Sequence, residues 1–132
     1  MAPKFYQGRR TGPRRSIVTV DNEPLERVSA VAFDWGTPLP GAFALAQAIL
    51  LSHLGKLPAR SVLHRFTFLT VATWSETRWT LTTNDIEEAL TIVRRHLRIA
   101  CILCGDTGRR EVRPRLWTPC DCARRMEPPP AA

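Results

Sequence analysis

From Ala42 to Leu54 the only polar side chains are Gln47, Ser52 and His53, and no other stretch of the chain is so uniformly apolar. A helix that is hydrophobic nearly all round is a buried one, and this segment is far short of the roughly 20 residues needed to cross a bilayer. It is predicted to be the central core helix. Pro38, Pro40 and Gly41 confine its start to the first turn, where a missing N–H costs little, and Gly55 supplies the left-handed residue that ends it. A second helix follows from Thr82 onward. Thr82 is a natural N-cap with Asp85 three residues on, acids at 85, 87 and 88 lie at the positive end of the dipole, and Ile86, Leu90, Val93 and Leu97 form one apolar stripe.

Between the two helices, Val62 to Trp74 (VLHRFTFLTVATW) is rich in β-branched and aromatic residues. With Phe66 and Phe68 on one face and Leu69 and Val71 on the other, it reads as a central strand, with Arg78–Leu81 as the returning arm of a hairpin. Phe5, Tyr6 and Ile17–Val20 read as another hairpin, turning through Thr11-Gly12-Pro13 with arginines at its tip. Asp21–Pro24 makes a turn, and Leu25–Ala32 a loop or an edge strand. Of Phe33 and Trp35, at least one is expected to pack against the core helix. The fold class is therefore α+β: a small antiparallel sheet packed on two helices over residues 1–98, a cysteine hairpin over 99–125, and a disordered Pro-rich tail over 126–132.

All four cysteines fall within that hairpin, as Cys101-x2-Cys104 and Cys120-x-Cys122. Clustered thiols in a chain expected to be intracellular point to a metal and away from disulfides. Two knuckles joined by a short hairpin can close a tetrahedral ion, so Cys101, Cys104, Cys120 and Cys122 are the expected ligands of a structural Zn2+. Gly105 and Gly108 supply the tight turns after the first pair. The second pair has a one-residue gap in place of the usual two. Were only three cysteines to bind, His96 is the fourth candidate. Val112, Leu116 and Trp117 suffice to form a hairpin but not a free-standing core, so the ion would contribute folding energy directly.

Charge changes the picture at the two ends. The net charge of +7 is carried by Lys and Arg before residue 16 and after residue 93, and the middle of the chain is mildly acidic. Arginine dominates, and its planar fork suits phosphate and carboxylate groups. Arg9, Arg10, Arg14 and Arg15 on the first hairpin, with Arg109, Arg110, Arg113 and Arg115 on the second, are the candidate contacts for nucleic acid or another partner. Arg94, Arg95, His96 and Arg98 are accounted for by the end of the second helix. The start of the chain has no apolar run after its basic residues, so neither a membrane span nor a signal is expected, and the location implied is cytoplasmic.

No catalytic constellation is visible. His53, His64 and His96 fall on different elements without a neighbouring nucleophile, and the carboxylates are spent on turns and the helix start. The Gly105-Asp106-Thr107-Gly108 run contains the Asp-Thr-Gly core of aspartic proteases but lacks a second copy, and reads as the turn of a zinc knuckle.

Tyr6-x-Gly8-x-Arg10, the Phe33-x-Trp35-Gly36 step, the Gly41-led helix ending LAQAILLSHLG, a Phe-rich strand, and Trp79-x-Leu81-Thr82 with Asp85-Ile86 and Leu90 together resemble a family of small uncharacterised proteins of bacterial and phage genomes, over about residues 5–97. The resemblance implies a mobile-element setting and no catalytic residues. The cysteine-rich end looks like the zinc ribbons and knuckles appended to many such proteins. The expectation is a non-enzymatic, zinc-stabilised basic protein acting on nucleic acid or a nucleoprotein complex. Two alternatives are a protein-directed inhibitor of a host defence complex, comparable to an anti-CRISPR, and a thiol redox or metal-handling protein.

Overall fold

The computed structural model describes residues 3–13, 15–113, 115–120 and 122, with Arg113 described in its backbone only. In chain order the elements are β1 (Phe5–Gly12), β2 (Arg15–Val20), β3 (Glu23–Pro24), α1 (Pro40–Leu54), α2 (Arg60–Leu69) and a 3-10 turn (Val71–Thr73). They continue with β4 (Arg78–Thr82), α3 (Thr83–Leu97), β5 (Arg109–Arg113) and β6 (Leu116–Pro119). The architecture is α+β, as expected, with three α-helices among the described residues in place of two.

The extra helix is the principal correction. Residues 62–74, expected as a central strand, form α2 and the 3-10 turn. A short apolar run cannot be assigned by composition, and here the helical spacing decides: Val62 and Phe66, four apart, are both fully buried, whereas Phe68 is half exposed. The threonines that favour a strand are accommodated locally. Thr67 donates its hydroxyl to the Leu63 carbonyl at 2.7 Å and Thr70 to that of Phe66 at 2.6 Å.

With no strand at 62–74, Arg78–Thr82 needs another partner. It pairs antiparallel with β1, Phe5 opposite Thr82 and Arg9 opposite Arg78, so the sheet order is β3-β2-β1-β4. The expected β1–β2 hairpin is present, with Gly8 opposite Val18. Residues 25–39 are a loop; of the four residues expected as a turn, Asp21 and Asn22 turn and Glu23–Pro24 pairs with β2 as a short strand at one edge of the sheet.

One sheet face turns Tyr6, Val18, Trp79 and Leu81 into a core shared with Trp35, with Leu45, Ile49 and Leu50 of α1, and with Ile86, Leu90 and Val93 of α3. Helix α1 starts with proline in its first turn and ends at Gly55 (φ 74°), whose N–H reaches the Leu51 carbonyl at 2.8 Å. Helix α3 carries the full capping box: the Thr82 hydroxyl accepts from the Asp85 N–H and the Asp85 carboxylate from the Thr82 N–H. His53 Nε2 and Glu87 meet at 2.5 Å and tie the end of α1 to α3.

Trp35 is core, as expected, and belongs to a three-tryptophan cluster. Its ring meets Trp79 edge-on at 5.9 Å, and Trp79 stacks on Trp74 at 4.5 Å. Trp79 lies on the bare backbone of Gly8, where a Cβ would come within 2.3 Å of the indole. Only glycine leaves β1 open to that ring. Among the described residues, no helix is long and apolar enough to cross a membrane.

Candidate metal centre

The chain leaves α3 through Arg98, in the left-handed conformation (φ 55°), and enters a tight knuckle at Cys101. Ile102, between the first two cysteines, turns into the main core and is 7% exposed. Its carbonyl accepts from the Ala59 N–H at 2.9 Å, so the knuckle is fastened to the start of α2. Gly105 and Gly108 take positive φ, as expected for the turn. The knuckle is closed by the Gly105 N–H to the Cys101 carbonyl at 2.9 Å and by the Cys120 N–H to the Gly108 carbonyl at 2.9 Å, which brings the second pair of cysteines back to the first. The ribbon itself is held to α2 by Arg60 and Glu111 at 2.8 Å, a pair whose arginine is largely exposed and which contributes little energy.

The four sulfurs converge. Cys101 Sγ lies 3.7 Å from Cys120 Sγ, Cys104 Sγ lies 3.3 Å from Cys122 Sγ, and all four are within 4.8 Å of one another. Four thiolates bound tetrahedrally at about 2.3 Å would place their sulfurs about 3.8 Å apart, so the donor set fits one metal ion. The one-residue gap of the second pair is no obstacle, because Cys120 and Cys122 each meet a different cysteine of the first. His96 is exposed and stands outside this group.

Shared protons set the acidity of the cluster. Burial pushes the Cys104 thiol up, but hydrogen bonds from the Cys122 thiol and the Gly108 N–H outweigh it and bring the group to about 7. Cys122, which supplies a proton to Cys104 and Cys101, is held well above its ordinary value. Burial raises Cys101, with the N–H groups of Cys104 and Leu103 pulling the other way. One thiolate would thus be accessible near neutrality, and an ion held by all four sulfurs would displace the remaining protons.

Asp106, in the run that resembled a protease signature, has a structural task. Its carboxylate accepts from the Cys101 N–H at 2.8 Å and from the Ala100 N–H at 3.0 Å, and these bonds hold its pKa below the ordinary value. It orients the backbone of a candidate ligand, the kind of support whose loss typically lowers metal affinity by about 10- to 100-fold. Asp106→Ala is expected to show a drop of that order in competition with a chromophoric chelator, and Asp106→Asn, which keeps one acceptor, a smaller one. Equal affinity in all three proteins would contradict this role.

The candidate arginines do not form one patch. Arg9 and Arg15 are exposed on the sheet. Arg10, one residue on from Arg9, folds to the other face: its guanidinium lies 4.3 Å over the Trp35 ring, pairs with Asp34 at 2.9 Å and donates to the Trp35 carbonyl at 3.0 Å. It clamps the tryptophan cluster. Arg109 is exposed with its guanidinium 5.8 Å from the Trp117 ring, Arg110 is half-buried, and Arg115 occupies the β5–β6 turn with φ 63°. Arg14, the Arg113 side chain and the 126–132 tail lie outside the described residues. Leu116 and Trp117, expected to help form the hairpin's apolar side, are 52% and 51% exposed. Arg78, not anticipated as a contact, stands beside Arg9. That neighbour became visible only once β4 was paired with β1.

No curated protein and no solved structure matches the chain. A family model does: it spans residues 6–92, from β1 to within α3 and short of all four cysteines, and the chain accordingly belongs to that family of unknown function, DUF6166.

Proposed function

We propose that this chain is a non-enzymatic binding protein for nucleic acid whose C-terminal ribbon is braced by a structural zinc ion. Four thiolates are a donor set that suits zinc, and a full tetrathiolate leaves no coordination position for water or substrate. The ion's role is then to fix the ribbon on α2.

The observation that carries the reading is Trp117, half exposed on β6 with Arg109 beside its ring. A large aromatic surface left in water on a metal-held ribbon, next to a guanidinium, is a platform for an unpaired base, with arginine reaching the adjoining phosphate. Such a stack is worth about 1–3 kcal/mol per base. With the zinc-loaded full chain and a 12-nucleotide oligothymidylate, Trp117→Ala is therefore expected to weaken binding roughly 5- to 150-fold. Unchanged affinity in that variant, or no binding by the parent protein at low salt, would remove the reading.

A further inference from the structure

The outer face of the sheet, turned away from the helices, carries an unbalanced charge. Register places Ile17, Arg9 and Arg78 side by side in one row across β2, β1 and β4, and Thr19, Gln7 and Thr80 in the next. Arg9 and Arg78 are direct cross-strand neighbours. Like charges so placed are destabilising, and sheets normally put an opposite charge or a neutral side chain there. The neighbouring Arg10, on the inner face, has Asp34; among the described residues neither Arg9 nor Arg78 has an acidic partner. No carboxylate stands in either row. The six side chains line a shallow groove of about 350 Å³ whose polar members all offer hydrogen-bond donors.

We propose that this face is a second contact for the same nucleic-acid strand, with Arg9 and Arg78 holding its phosphates and Gln7, Thr19 and Thr80 donating to phosphate or sugar oxygens beside them. The choice of partner rests on the nucleic-acid reading above, but the residues are different ones. An anion between the two guanidinium groups turns the cross-strand repulsion into attraction, and the arginine fork suits a phosphate bidentately.

The test uses the zinc-loaded full chain, the 12-nucleotide oligothymidylate, and fluorescence anisotropy across a salt series. Arg9→Gln/Arg78→Gln is expected to lower affinity at least tenfold and to reduce the salt slope by about 1.4, the value for two lost phosphate contacts on a single strand. Its melting temperature should equal or exceed the parent's, because the opposed charges are gone. Arg65→Gln/Arg95→Gln removes the same charge from exposed positions on α2 and α3 and should change the slope by less than half as much. Equal slope changes in the two double variants, or none in the first, would overturn the proposal. So would a 12-residue polyglutamate that binds as tightly as the oligonucleotide. The two readings fail separately: loss confined to Trp117→Ala removes the sheet contact, and loss confined to Arg9→Gln/Arg78→Gln removes the ribbon contact. A parent protein with no salt-dependent binding removes both.

Discussion

Withdrawing the proposed zinc ion with a strong chelator is expected to unravel the segment from Cys101 to Cys122 while the sheet and three helices stay folded. The ribbon has little else to hold it. Of its larger apolar side chains among the described residues, only Ile102 belongs to the main core, Leu116 and Trp117 are more than half exposed, and an isolated two-stranded hairpin is marginal in water. The free energy of metal binding, about 10–16 kcal/mol in zinc-finger peptides, would on the proposed reading be the folding energy of the segment. Hydrogen exchange reads the result residue by residue. The amides of Gly105 and Cys120, bonded to the Cys101 and Gly108 carbonyls, should lose protection, as should Ala59 where the knuckle fastens to α2. Amides in the middle of α1 and α3 should keep theirs. Detachment of Ile102 costs the body about 1.5–3 kcal/mol of buried surface, enough to lower its melting temperature without unfolding it. If Gly105 and Cys120 stay protected in chelator with every thiol alkylated, the ion does not organise the ribbon.

How much of this was legible depends on how local each signal is. Helix α1 is readable because burial on all sides is written into consecutive residues, and α3 because Thr82, Asp85 and the Ile86–Leu97 stripe are all local. The convergence of the cysteines is readable from their density, four inside 22 residues, since a thiol cluster of that kind has few other uses. Pairing of β4 with β1 is not readable: it joins residues about 70 positions apart, and the nearer segment at 62–74 offers a partner of strand composition. Fates of individual arginines are equally non-local. Arg10 is occupied by Asp34 and Trp35, and Arg9 gains Arg78, through contacts that exist only after the sheet has formed. Ile102 is hidden for another reason: between two metal ligands it reads as part of the knuckle, yet it belongs to the body's core.

The misread segment also makes the most discriminating stability experiment. Phe66→Ala is expected to cost about 3–5 kcal/mol, because the ring is fully buried and its removal leaves a cavity that the packed helices can only partly close. Phe68→Ala should cost less than about 1 kcal/mol: that ring is half exposed, and its visible contact is an edge-on approach to Phe43 at 5.9 Å. Urea titration of the zinc-loaded chain, with both variants compared at a common m-value, reads the difference directly. The contrast follows from backbone geometry alone. Two residues apart on a strand share a face and would be buried or exposed together, whereas on a helix they are turned about 200° from each other. Similar costs at the two positions would restore the strand, give Arg78–Thr82 back its nearer partner, and with that separate Arg78 from Arg9. The basic face of the sheet therefore depends on Phe66 and Phe68 behaving differently.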